Sequence, residues 1–421
     1  MNLLFLTLLY PPKTLEQVSR DSKDGLQNQI NSYQWAFVEG LRQNLGEGES
    51  LSILNSLPVG TFPGRYRKLL LPSWREKGFS ELGSLNLPFF KQRARSRKAA
   101  RAIVAWAKES PANRQVLLYS LYLPYMQAVA KAKKRFGDLK ATVIVTDLPN
   151  ELGISSGRRG MMKRLEYAMG DQRIQLCSAF DGFVLLTEPM AQALPIQGKP
   201  RMVIEGLILP RPQEGAGERA QEKGNPPESR GGKPSEAPGE SSPLPVVLYT
   251  GTLNRELGIG ELLEAFTELP HCQLWLCGRG DMEEKARQAA QAFSNIRYFG
   301  FVSQGEALAL QARADILVNP RSGKGVFTRY SFPSKTLEYM RSGKPVLSYP
   351  LEGIPREYDP YLVYIRGEGA GGIREAVQGL LAMPRAQREN LGQAAQAYVL
   401  ARKNPKVQCQ KLLGFLRGLS G

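Results

Sequence analysis

Ser334, Lys335 and Glu338 are spaced so that one short helix can present a hydroxyl, an ammonium and a carboxylate. They sit in the stretch Ser331-Phe-Pro-Ser-Lys-Thr-Leu-Glu-Tyr-Met-Arg-Ser-Gly-Lys-Pro-Val-Leu347. Pro333 before a hydroxyl residue marks a helix start, residues 335–340 carry the helix, and Gly343 ends it. Ser334 is expected to cap the free N–H groups of the first turn. Those groups and the positive end of the helix dipole make an anion seat, and Lys335 adds a mobile cation beside it. Glu338, roughly one turn on, shares a face with Lys335 or Ser334. A phosphate grip with a deeper carboxylate suits a nucleotide, with Glu338 accepting from ribose hydroxyls. The competing reading is a capped helix in which Lys335 and Glu338 form a surface ion pair.

The elements around this stretch alternate. Residues 245–250 read as a strand, 251–258 as a Gly-rich turn and 260–269 as a helix. Residues 273–277 read as a strand that ends in Gly278-Arg-Gly-Asp281 before a charged helix. A short strand over 296–299, a helix over 306–313 and a strand over 314–320 follow, and helices over 373–381 and 384–400 come later. Such alternation predicts a doubly wound α/β unit. Its topology brings Gly251, Gly278, Asn319-Pro-Arg321 and the Ser334 helix to one crevice, with Gly251 letting the backbone approach phosphates.

The first half has the same rhythm. Strands are expected over 2–9, 50–57, 115–119, 141–146 and 181–186, with helices over 26–44 and 123–136. In open α/β sheets the carboxyl ends of strands face the ligand crevice. Asp147 and Glu151, just after the 141–146 strand, are therefore candidates for an acceptor side, against a plainer role in capping their loop. Residues 211–245 are Pro, Gly, Glu, Ser, Arg and Lys with almost no apolar side chains. Too little surface can be buried there to offset ordering entropy, so this tract reads as a disordered linker.

At 421 residues the chain has room for two cores. The apolar opening run stops at Pro11-Pro12 and lacks a basic leader, so it reads as a buried strand. No run approaches the roughly 18 apolar residues of a membrane span, and a cytoplasmic protein is expected. Four cysteines without Cys-x-x-Cys spacing and the single His271 supply no ligand set for a structural zinc, and no Asp-x-Asp motif offers a metal site. The net charge of +17 is concentrated: residues 65–164 hold 22 Lys and Arg against 6 Asp and Glu, a difference of +16. Such a block attracts an anionic partner. Over 62–110 the basic residues interleave with Leu69-Leu-Leu71, Trp74, Phe79 and Phe89-Phe90. That pattern fits an anionic lipid surface, and equally a solvated helix face. Nucleic acid is not expected, because no RNA or DNA motif accompanies the charge.

The Ser331–Leu347 stretch resembles the donor-binding motif of bacterial family 4 glycosyltransferases of the GT-B fold. The closest pattern is that of the polysaccharide-assembly branch, roughly SFPSK-x-x-EYM-x-x-G-x-PVL. Asp181-Gly-Phe-Val-Leu-Leu-Thr-Glu188 and Val203-Ile-Glu-Gly206 are similar to stretches of the same branch. The resemblance implies two Rossmann-like domains facing a cleft. Residues 1–210 would bind the acceptor and 246–400 the nucleotide-sugar donor; 211–245 would be an inserted linker, and 401–421 a helix returning to the first domain. It also implies transfer of a sugar, with retention of configuration and without a metal, from a nucleoside diphosphate donor. A UDP-sugar is the first expectation. The acceptor would be a glycan or a lipid-phosphate-linked glycan in cell-surface polysaccharide synthesis, met on the inner face of the membrane. The donor is a co-substrate, and no permanently bound cofactor is implied.

Departures from the family pattern matter. Arg commonly follows the first glycine, with Lys about five residues later; here Thr252 and Leu257 stand in those places. Arg255, Arg321, Arg329 and Lys335 are then the cations left for the diphosphate. Gly278 and Arg279 should lie near the nucleoside. Of a usual glutamate pair, Glu338 matches the second and Tyr330 falls where the first would be. The first-domain histidine is missing, which makes Asp147 the substitute near the reacting sugar. The glycine pair usual after strand one is represented by Gly25 alone, so that loop is given no phosphate role. Thr252, Leu257 and Tyr330 keep open a scaffold that binds donor without turnover. The basic block keeps open, less strongly, a nucleic-acid-binding protein.

Overall fold

The computed structural model describes residues 1–88, 90–110, 112–150, 161–208 and 244–419. Glu151 lies outside them, as does the expected linker apart from Leu244 and Pro245. Short apolar runs become buried parallel strands, because a strand covered on both faces needs no polar side. The first sheet has eight strands. Their order is Arg201–Val203, Gly182–Leu185, Lys140–Val145, Arg114–Tyr119, Asn2–Thr7, Ser50–Asn55, Phe79–Glu81 and Trp74–Glu76. Only the last pairing is antiparallel. Alternate residues of Asn2–Thr7 feed opposite faces: Leu4 and Leu6 pack with Ile103 and Tyr125, Leu3 and Phe5 with Phe37 and Leu412.

The second sheet has six parallel strands, ordered Ile296–Tyr298, Gln273–Cys277, Val246–Thr250, Ile316–Asn319, Val346–Ser348 and Val363–Tyr364. Both sheets change winding direction beside a central strand, Asn2–Thr7 in one and Val246–Thr250 in the other. The crevice beyond the carboxyl ends at such a reversal is where doubly wound sheets take ligands. The sequence reading of alternating α/β units thus matches the architecture.

The chain crosses between the two halves twice, and the crossings are pinned together. Lys403, buried, places its ammonium between Glu205 and Glu357, the latter at 2.6 Å. The Tyr358 hydroxyl donates to Glu205 at 2.5 Å, and the Ile208 N–H donates to the Lys403 carbonyl at 2.8 Å. The last helix, Pro405–Gly418, then packs on the first half: Cys409, Leu412, Leu413 and Leu416 share a core with Leu3 and Phe5.

Residues 70–85, where interleaved basic and apolar side chains predict no strand, differ from that expectation. They form a ribbon, Leu70–Leu71 with Ser84–Leu85, and a hairpin, Trp74–Glu76 with Phe79–Glu81. Strands of two or three residues carry no periodicity to read. No helix among the described residues is long and apolar enough to cross a membrane.

Candidate functional site

The helix Ser334–Arg341 is fixed beside the carboxyl end of Val246–Thr250 by one buried tyrosine. The Tyr339 hydroxyl accepts from the Thr250 N–H at 2.9 Å and donates to the Thr250 carbonyl at 3.0 Å. Leu337 and Met340 on the same helix enter the second-half core. The capping role expected of Ser334 is corrected: Pro333 occupies the cap position, Ser334 is the first helical residue, and no side-chain cap bond forms. Proline at the cap has no hydroxyl, so the first-turn N–H groups are left without side-chain capping.

Lys335 and Glu338 do form an ion pair, at 2.9 Å, with both side chains about one-third exposed (31% and 36%). An exposed pair of this kind contributes only about 0–1 kcal/mol, so Lys335 is not firmly committed to Glu338. Glu338 has a second partner that the sequence did not disclose. Gln311, buried on the helix Gln304–Arg313, donates to the other Glu338 oxygen at 2.8 Å and also to the Thr250 hydroxyl at 3.2 Å. The carboxylate is therefore oriented before any ligand arrives.

The turns that follow three strands interlock around this helix. At Gly278, φ is +138° and an added Cβ would lie 1.7 Å from the Gly251 carbonyl oxygen, so only glycine lets the two turns meet. At Gly258, φ is +80° and a Cβ would lie 2.1 Å from the Pro320 carbonyl oxygen. The Gly251 N–H donates to the Cys277 carbonyl at 2.9 Å. Gly251, Gly278, Pro320 and the Tyr339-bearing helix are thus brought together, as topology required.

The cations divide. Arg321 is buried and donates to the Ser331 hydroxyl; burial pulls its pKa down to about 10, which still leaves it charged at neutral pH. Arg329 is turned toward the first half, donating to Gln192 at 2.7 Å while paired with Glu352 at 2.9 Å. Arg279 is exposed, its guanidinium 5.1 Å from the Phe301 ring centre. Arg255 is exposed on the turn, and its N–H donates to Asp281 at 2.9 Å. Tyr330 packs against the first-half core that contains Tyr125 and Phe183. In the first half, Asp147 is exposed after Lys140–Val145, and its carboxylate accepts from the Thr146 hydroxyl at 3.1 Å. Among the described residues no group of three or more His, Cys, Asp and Glu side chains could hold a metal ion.

Gln311 and Tyr339 were missed by sequence reasoning. Tyr339 lies inside the motif, but nothing in its spacing points to a bond with the Thr250 backbone, and Gln311 carries no local signal at all.

Residues 244–383 match the family described as Glycosyl transferases group 1. No curated protein matches the chain. Among solved structures it is similar to a sucrose-phosphate synthase from Thermosynechococcus elongatus, at 14% identity and a TM-score of 0.60, covering 99% of this chain and 98% of that one. An E. coli trehalose-6-phosphate structure bound with UDP-2-fluoro glucose is similar at 10% identity and a TM-score of 0.60, covering 100% and 99%. A UDP-forming trehalose-phosphate synthase from Burkholderia xenovorans, in complex with glucose-6-phosphate, matches at 10% identity and a TM-score of 0.56, covering 99% of each chain. Likeness at these identities is likeness of fold: the chain adopts the GT-B architecture, and its residues 244–383 form a glycosyltransferase group 1 domain.

Proposed function

We propose that the protein is a retaining, metal-independent family 4 glycosyltransferase of cell-surface polysaccharide synthesis. In this reading residues 246–400 bind a nucleoside diphosphate sugar. Residues 1–210 bind a glycan or lipid-phosphate-linked acceptor brought to an anionic membrane face. The observation that carries it is Glu338, held by Gln311 and Lys335 beside the Gly251 and Gly278 turns. Glu338 takes the ribose hydroxyls. Lys335 turns to the diphosphate, and Arg321 and the uncapped helix start add positive potential where leaving-group charge develops. Arg255 and Arg279 lie on the turns that flank the nucleotide, and Arg329 and Ser334 border the donor side of the cleft. Asp147 and Glu151 belong to the acceptor side. The E. coli neighbour is bound with a UDP-sugar analogue, so UDP-sugars are the donors to test first.

The second reading is a scaffold that binds donor without turnover. It is favoured by Thr252 and Leu257 in places where cations are usual, and by Tyr330, which is committed to the first-half core. The two readings separate in one assay. Wild-type protein incubated with UDP-sugars should release UDP, and Lys335→Ala and Glu338→Ala should not. Tight donor binding with no release under any acceptor condition would favour the scaffold.

A further inference from the structure

The ribbon and the helix that follow the 50–55 strand carry an unusual surface. Leu69, Leu70, Leu85 and Phe90 are all exposed, Leu70 by 70% and Phe90 by 66%. Leu70 and Leu85 are cross-strand neighbours in the ribbon, and Phe90 opens the adjoining helix Phe90–Glu109. These are not loose ends. Leu71 is buried with Tyr10, Val18, Leu57 and Tyr66, and the buried Asn86 donates to the carbonyls of Gly60 and Lys68 at 3.0 and 3.2 Å.

Cations flank the apolar residues along the chain, before Leu69 and after Phe90. Arg67, Lys68, Arg93, Arg97 and Arg101 are exposed, and among the described residues none of them has an ion-pair partner. Arg93, Arg97 and Arg101 recur every four residues, so they stack on one helix face, where like charges repel. The helix has no acidic residue before Glu109 to relieve them. It is held instead by its buried side, where Ala99, Ile103 and Ala107 pack into the first-half core.

The patch also has a definite place. Lys91 donates to the Val59 carbonyl at 2.5 Å; Arg95 donates to the Leu57 carbonyl at 2.5 Å and to the Tyr122 hydroxyl at 2.9 Å. Leu57 and Val59 leave the carboxyl end of Ser50–Asn55, and Tyr122 leaves that of Arg114–Tyr119. The apolar end of the patch therefore stands at the rim of the first-half crevice.

We infer that Leu69, Leu70, Leu85 and Phe90, with Arg67, Lys68, Arg93, Arg97 and Arg101, dock the protein on an anionic lipid bilayer. The leucines and Phe90 enter the headgroup boundary and the arginines meet acidic headgroups. The docking gives a lipid-linked acceptor a short path to the crevice. That consequence rests on the function proposed above; the docking itself does not. Nucleic acid fits less well, because phosphate contacts use the cations and leave a clustered aliphatic surface unused.

The test is flotation of the full chain with phosphatidylcholine vesicles, with and without phosphatidylglycerol. Wild type should float only with the anionic vesicles and release as salt rises. Arg93→Gln/Arg97→Gln/Arg101→Gln, and separately Leu70→Ser/Phe90→Ser, should each weaken that binding roughly tenfold or more. Both should retain wild-type circular dichroism and wild-type UDP binding. Absence of wild-type flotation, unchanged flotation in both variants, or binding to RNA in place of vesicles would each overturn the inference. Flotation that follows the pattern in a protein that binds no nucleotide would uphold docking and remove the donor-site reading alone.

Discussion

Glu338 remains useful to a ligand because its partners use only part of its hydrogen-bonding capacity. An ionised carboxylate has about four lone-pair sites, and Gln311 and Lys335 each bond one of its oxygens. Gln311→Leu should therefore weaken nucleoside diphosphate binding roughly tenfold and leave inorganic pyrophosphate binding unchanged, since the ribose contact alone loses its orienting group. Competition titrations with both ligands check this. The spacing of Lys335 and Glu338 was legible in the sequence because both lie on one helix turn. Gln311 was not, because it reaches Glu338 from 27 residues away, and no local pattern encodes that contact. A second residue-scale effect lies in the first half. Burial pushes the Glu81 carboxyl from its ordinary 4.5 up to about 7, against the bonds donated by Asn55 and the Leu57 N–H. The folded state thus favours the protonated form. Stability is lost as pH rises from the unfolded value to the folded one, by about 3 kcal/mol in all. The stability difference between wild type and Glu81→Gln should move by that amount between pH 4.5 and 7, wild type losing. A flat difference in urea unfolding would show that Glu81 is not perturbed.

Among the elements, the proposed donor side is built by turns that touch each other backbone to backbone. Gly278→Ala sets a Cβ against the Gly251 carbonyl at a φ unsuited to alanine. It should cost more than about 3 kcal/mol and abolish diphosphate binding. Gly379, exposed in the helix Gly369–Ala382 with open space around it, is the control. Gly379→Ala should raise stability by about 0.5–1 kcal/mol. Thermal unfolding of the two variants compares them directly. Strand and helix alternation was legible here because buried parallel strands leave apolar runs of five or six residues. The ribbon and hairpin over 70–85 were not, and neither was the true helix cap, because Pro333 and Ser334 each suit a helix start.

For the molecule as a whole, Lys403 is the residue that ties the two chain crossings together. Lys403→Met would leave Glu205 buried without its cation, at a cost of about 3–5 kcal/mol. Adding Glu205→Gln should recover most of that loss, since the uncompensated charge goes with it. A denaturant double-mutant cycle measures the coupling; additive effects would mean that the pair holds nothing together. The two-sheet architecture and the uneven charge could be read from the chain in order. The pin at Lys403 could not, because its partners Glu205 and Glu357 come from distant segments.

Lys335 and Glu338 are proposed to mark a nucleotide-sugar site. Calorimetric titration of the whole protein with UDP, GDP and ADP, repeated on Lys335→Ala and Glu338→Ala, tests it most directly. Micromolar binding of one diphosphate is expected, lost in both variants. If the wild-type protein bound none of the three, the donor site would be contradicted, and the basic, apolar surface of the first half would become the leading clue to function.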